Sequence, residues 1–186
     1  HAVSGSGVIA DFVARTAYDG VPEAVMASAR LHFLDALGVG IAASTVAENR
    51  ALAHEAANGT ASLLGGGRAE AGAAAMINGA LIHALEFDDT HIGSVVHGSA
   101  VAAPLALAVA QQCAASGQDL VRAYIIAWEV AIRIGLAGPG AFQEKGFQVT
   151  SVGGALGAAA AASMVMRLDR QQTISALGIA GGQASG

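Results

Sequence analysis

Between Gln148 and Met166 the chain carries no charge and almost no bulk: Ser151-Val-Gly-Gly-Ala-Leu-Gly-Ala-Ala-Ala-Ala-Ala-Ser163 forms its middle. Such a run excludes most folds. Alanine is the strongest helix former and strands disfavour it, so the segment reads as a helix, over about Thr150 to Arg167. Gly153 and Gly157 stand four apart, on one face, where a missing Cβ lets a neighbouring backbone approach closely. The run is nearly long enough to span a bilayer. Its Ala, Gly, Ser and Thr gain little from lipid, so a helix buried in protein is the expectation.

The rest of the chain agrees with that reading. Hydrophobic residues make up 54% of the 186 positions and aromatics only 4%, so small side chains fill the apolar role. Charged residues are 12%, the net charge is −5, and Lys145 is the single lysine. No basic stripe is present to neutralise phosphates, which argues against nucleic acid as a partner. The lone Cys113 excludes a disulfide framework within the chain and reads as a small core hydrophobe. With no basic, long-cored leader at its start, the chain is expected to be cytoplasmic.

Apolar spacing predicts a first helix from Val8 to about Tyr18, after a flexible lead, Gly5 to Gly7. Gly5-Ser-Gly-Val-Ile-Ala10 matches a dinucleotide fingerprint only in letters, since no strand can precede it. Pro22 opens a second helix to about Ala43, with Val25, Ala29, Phe33, Leu37 and Ile41 along one face and His32 and Asp35 as a local pair. A third runs from about Ala47 to Ala57. Thr60 to Leu64 reads as a short strand turned by Gly65-Gly-Gly67. Helices follow over Glu70–Leu85, Ser99–Ala115 and Asp119 to Gly138, with Glu129 and Arg133 paired one turn apart. Ala141 to Val149 reads as a loop. Asp169-Arg-Gln-Gln172 resembles a capping box before a last helix. With almost no period-two alternation and no repeat, the expectation is one all-α, bundle-like domain over residues 1–186.

Chemistry concentrates in one place. From His83 to His97 come His83, Glu86, Asp88, Asp89, Thr90, His91 and His97, holding three of the six histidines and three of the fourteen acids. On a helix His83 and Glu86 share a face, as do Glu86 and Thr90 if the helix persists. The N-terminus of the helix from Ser99 suits a substrate carboxylate. Three readings stay open: helix caps with satisfied buried histidines, a metal held through His83-x-x-Glu86, and general acid–base chemistry by His97 with a carboxylate.

Asn78-Gly, His83-Ala-Leu-Glu-Phe-Asp-Asp-Thr90 and His97-Gly-Ser99 resemble the signature of the MmgE/PrpD family. Ala127-Trp-Glu-Val-Ala-Ile-Arg133, Gly146-Phe-Gln-Val-Thr150 and Ala176-Leu-Gly-Ile-Ala180 continue the match in the family's order. The resemblance implies a large all-α domain, commonly homodimeric, usually joined to an α/β lid that this chain stops short of. It implies 2-methylcitrate dehydratase, cis-aconitate decarboxylase or iminodisuccinate epimerase chemistry, on small polycarboxylates and without an iron–sulfur cluster. By resemblance His97 matches an active-site histidine, Glu86 an acidic position usually Asp, Thr90 a site threonine, and Asp88 with Asp89 the family's Asp-Asp pair. The catalytic candidates are therefore His97, Glu86, Asp89 and Thr90, with Glu86 and Asp89 setting the charge state of His97. The substrate-binding candidates are Asp88, His91 and Gln148. No metal, cofactor or membrane partner is expected, and the first expectation is a 2-methylcitrate dehydratase-like lyase. The family often has histidine where Gln148 stands and His-Pro-Ser where His97-Gly98-Ser99 stands. A non-catalytic helical module is the reading from a different class.

Overall fold

The computed structural model describes residues 4–49 and 59–186. Among these residues are eight α-helices: α1 Gly5–Arg15, α2 Glu23–Ser44, α3 Ala71–His83, α4 Gly98–Gln112, α5 Gly117–Leu136, α6 Ala141–Glu144, α7 Val149–Val165 and α8 Arg170–Gln183. The only sheet among them is a hairpin of β1 Ala61–Ser62 and β2 Arg68–Ala69, antiparallel, with Ala61 opposite Ala69. The fold is all-α, as the small-residue composition requires.

The helices begin where side chains can cap them. Ser4, Glu70, Ser116, Gln148 and Asp169 each accept backbone N–H groups at the start of the helix that follows. At α8 the capping box is complete: Asp169 accepts from the N–H of Gln172, and the Gln172 side chain accepts from the N–H of Asp169. These caps satisfy donors that the helix itself cannot.

Glycine positions set how closely the helices pack. A Cβ on Gly153 would lie 2.8 Å from the carbonyl oxygen of Ala131, and one on Gly157 would lie 2.5 Å from that of Ala127. α7 therefore lies backbone to backbone on α5. The same device joins α3 to α4, where a Cβ on Gly79 would meet the Ala100 carbonyl at 2.9 Å. The main core gathers alanines 100, 102, 103, 106, 123, 127, 160 and 161 around Ile82, Ile126 and Tyr124. Side chains this small fill the interior only where backbones close the gaps.

Buried amides hold the hairpin against the helices. Asn78 is fully buried, donates to the Ser62 carbonyl at 2.8 Å and accepts from the Leu64 N–H at 2.9 Å. From α4, Gln111 accepts from the Ser62 N–H and donates to its hydroxyl.

Several expectations are corrected. Gly5 to Gly7 is not a lead but the first turn of α1. Pro22 is the N-cap of α2, and the buried face of α2 is Met26, Ala29, Ala36, Gly40 and Ala43, with Val25 and Ile41 exposed. A fixed step of four drifts by about 40° each time round a helix of 3.6 residues per turn. The expected face therefore wandered off the core. Ala47–Asn49 is a 3₁₀ turn, and residues 50–57 of the expected third helix lie outside the described residues. The expected loop after Gly140 contains the short helix α6. Cys113 caps the C-terminus of α4 and is exposed rather than in the core. α2 is long and apolar enough, by length and composition, to cross a bilayer.

Candidate functional site

The site forms where α3 ends and α4 begins. α3 stops at His83; three residues on, the N–H of Glu86 closes onto the His83 carbonyl, and Glu86 takes a positive φ of 55°. A left-handed residue breaks helical propagation. Glu86 and Thr90 therefore do not share a helical face, as an unbroken helix would have required. After a tight turn in which the N–H groups of Ser94 and Val95 bond the His91 carbonyl, the chain returns at His97, the N-cap of α4. An isolated bridge, the His91 N–H on the Val96 carbonyl at 2.9 Å, closes the loop.

At the centre is Asp88, whose side chain is 0% exposed. Its carboxylate meets Nδ1 of His83 at 3.1 Å and Nδ1 of His97 at 3.2 Å. The two rings stand edge to face with centroids 4.8 Å apart. An ionised carboxylate only accepts, so this geometry assigns the proton of each neutral ring to Nδ1 and leaves Nε2 as the basic atom. Thr90 Oγ1 lies 3.3 Å from the same His97 Nδ1. From α7, Thr150 Oγ1 accepts the backbone N–H of His97 at 3.0 Å. A buried carboxylate, two imidazoles and a hydroxyl thus share one hydrogen-bonded unit, in which both imidazole side chains are partly exposed.

Asp89 turns the other way. Its Oδ1 accepts the N–H of Ser99 at 3.0 Å, and its Oδ2 accepts the Ser99 hydroxyl at 2.6 Å. Oδ2 also meets Nδ1 of His32 at 2.8 Å. Ser99 Oγ in turn bonds the Tyr124 hydroxyl at 2.6 Å and accepts from Trp128 Nε1 at 3.2 Å. Burial raises the Tyr124 hydroxyl above its ordinary range and outweighs the lowering effect of the Ser99 bond. This arrangement corrects two expectations. The N-terminus of α4, expected to hold a substrate carboxylate, already holds the protein's own Asp89 carboxylate. His32 pairs with Asp89 rather than with Asp35.

The candidates therefore divide. The structure brings together His97, Asp88 and Thr90, and adds His83, which the sequence offered only as a metal ligand paired with Glu86. The carboxylate on His97 is Asp88, expected as a substrate contact, while Asp89, expected to set its charge state, caps α4. Glu86 stands at the rim, its side chain 77% exposed and Oε1 4.0 Å from Nε2 of His83. His91 is engaged in its own turn, Nδ1 to Ser94 Oγ at 2.8 Å. Gln148 caps α7, its Oε1 accepting the N–H of Thr150 at 2.8 Å, and so fixes the residue that holds the His97 backbone. Ser99, Tyr124, Trp128, Thr150 and His32 have no role assigned by the sequence, although Ser99, Trp128 and Thr150 fall within the family-like motifs, because their roles depend on contacts up to 57 positions apart in sequence.

The Gly98 departure has a structural cause. A Cβ there would lie 2.2–2.4 Å from the indole of Trp128. The Trp128 ring occupies the space that a side chain, or a proline ring, would need. The His32 end of the network borders a cavity of about 360 Å³ whose lining includes Ala29, Ile125 and Trp128. Asp88 and His97 do not line it.

The profile of the MmgE/PrpD N-terminal domain matches residues 7–186. A cis-aconitate decarboxylase-like protein, oryM, of Aspergillus oryzae is 36% identical over 122 residues, covering 61% of this chain and 25% of that protein. A cis-aconitate decarboxylase of Aspergillus terreus is 34% identical over 120 residues, covering 61% of this chain and 24% of that protein. The stretch matched is thus about a quarter of these relatives' length.

Proposed function

The chain belongs to the MmgE/PrpD family through its N-terminal domain, and from that membership we propose a lyase that moves a proton at a carbon beside a carboxylate of a small polycarboxylate. The observation that carries the reading is the fully buried Asp88 on Nδ1 of His97. It holds the ring in one tautomer, presents Nε2 as the base, and stabilises the imidazolium that forms when Nε2 takes a proton. Thr90 Oγ1 lies beside it as a polar contact for a substrate oxygen, and the rim carboxylate of Glu86, next to His83, can accept from a substrate hydroxyl.

In dehydration of a 2-methylcitrate-like hydroxy acid, Nε2 takes the proton from carbon, the carbon–carbon double bond forms, and the resulting imidazolium passes that proton to the departing hydroxyl, which leaves as water. Side chains alone supply these steps, so the reading needs no cofactor. The second reading is decarboxylation of cis-aconitate, and the names of the two Aspergillus relatives favour it. There the bond to the departing carbon dioxide breaks, and the protonated His97 returns a proton to carbon. The full-length protein assayed with 2-methylcitrate, citrate and cis-aconitate separates the two. Formation of an unsaturated acid with no gas marks dehydration, and carbon dioxide release marks decarboxylation. Absence of both, with folded protein, would sink the lyase reading.

A further inference from the structure

His83, Asp88 and His97 each offer one donor atom, and these atoms all lie within 4.8 Å of one another. We infer that this trio is a binding site for a borderline divalent cation, Zn²⁺ or Co²⁺, and that occupancy silences the site rather than serving it. The binding stands on the geometry alone, while the silencing rests on the proposed use of His97 Nε2 as the base.

The donor set is two imidazole nitrogens and one carboxylate, a combination suited to zinc and its neighbours and poor for magnesium or calcium. The spacing fits. Zinc holds nitrogen and oxygen ligands at about 2.0–2.2 Å in a tetrahedron, which sets neighbouring ligand atoms roughly 3.3 Å apart. Asp88 already lies 3.1 Å from one Nδ1 and 3.2 Å from the other. A cation therefore replaces these two hydrogen bonds once the rings turn to bring the donor atoms, now within 4.8 Å of one another, to tetrahedral spacing. The proton of each neutral imidazole passes from Nδ1 to Nε2, so none is lost. Glu86 Oε1 stands 4.0 Å from Nε2 of His83, placed to accept that proton's hydrogen bond in the manner of an outer-shell carboxylate. Asp88 is anchored by burial, while the side chains of His83 and His97 are 41% and 20% exposed, so an ion has a route in.

The chemistry also says why the ion inhibits. Metal-bound Nδ1 makes Nε2 an N–H donor, and the base that the proposed reaction needs is gone. Bound metal also faces competition from protons for the imidazole nitrogens, so affinity weakens as pH falls.

The experiment reads binding, not turnover. The purified full chain, freed of metal with a chelator, is titrated with Zn²⁺ by calorimetry and with Co²⁺ by visible absorption. One equivalent is expected to bind, with cobalt bands of four- or five-coordinate nitrogen and oxygen ligation. Affinity is expected to fall at least about tenfold in His83→Ala and in Asp88→Asn, and to stay unchanged in His91→Ala, whose ring bonds Ser94 instead. Thermal melts confirm that each variant folds. His83→Asn, which keeps an N–H donor for Asp88 but offers no metal-binding nitrogen, is expected to fold and still lose the ion. No bound equivalent in the parent, six-coordinate cobalt only, or undiminished affinity in folded His83→Asn would each overturn the site. A lyase that fails its substrate panel leaves this result standing, and the converse also holds.

Discussion

The consequences of single atoms are sharpest around Ser99. Its hydroxyl donates to Asp89 and accepts from Trp128 and Tyr124, so three elements meet on one oxygen. Gly98 beside it has no space for a side chain. Gly98→Ala is expected to lower stability by about 1–3 kcal/mol through overpacking against the indole. A double-mutant cycle with Trp128→Phe, read by denaturant unfolding, should show strong coupling between the two positions. Additive effects would mean that the ring does not set the glycine. Tyr124 gives a pH signature. Its folded-state value is raised, so its stabilising contribution is complete below the ordinary phenol value of about 10 and is lost as pH rises past it. Tyr124→Phe removes both that dependence and one hydrogen bond, worth roughly 1 kcal/mol. The gap in melting temperature between parent and variant is expected to narrow above pH 10; a constant gap would contradict the assignment.

At this scale the sequence was only partly readable. That His97 and the acids before it belong together is visible in the clustering of residues 83–97. Which acid serves His97 is not. In the irregular stretch after Ala84 consecutive side chains diverge, so Asp88 faces the histidines while Asp89 faces Ser99 and His32. Spacing rules for helices say nothing about that choice. The contact of His32 with Asp89 spans 57 positions and has no local trace.

The elements were more legible because their signals are local. The capping box at Asp169, the glycine-turned hairpin and the close-approach glycines of α7 stand where the residues placed them. α6, at four residues, is too short to show a period. The face of α2 was lost because its core contacts alternate steps of three and four. The glycines themselves give a test with opposite signs. Gly157→Ala drives a methyl group against the Ala127 carbonyl and is expected to destabilise by about 1–3 kcal/mol. Gly178, in the interior of α8, has nothing within 4 Å of its missing Cβ, and Gly178→Ala is expected to stabilise by about 0.5–1 kcal/mol. Chemical denaturation of both variants checks the pair; the same sign for both would refute the packing argument.

For the whole molecule, the fold follows from what alanine and glycine permit. The core is filled by backbone approach, and among the described residues the histidine–carboxylate cluster sits in the irregular passage that joins α3 to α4. The ends of the described chain are tied by Arg170 of α8, whose Nε lies 2.6 Å from Asp11 of α1. That guanidinium holds the Asp11 carboxyl below its ordinary range. The tie is exposed, so it is sensitive to salt. The site leans on the same frame: α4 presents His97, α5 supplies Trp128 and Tyr124, and α7 fixes the His97 backbone through Thr150.

If His97, oriented by Asp88, carries the proton, exchange at the carbon beside the substrate carboxylate depends on both residues. The direct measurement is the exchange of substrate carbon-bound hydrogen for deuterium, followed by NMR in deuterated water with the full-length protein and a polycarboxylate that it turns over. The parent is expected to exchange or label the carbon beside the carboxylate. His97→Ala should lose the signal, and Asp88→Asn should slow it by about 10²-fold or more while the protein stays folded. Labelling by His97→Ala at the parent's rate would contradict the account.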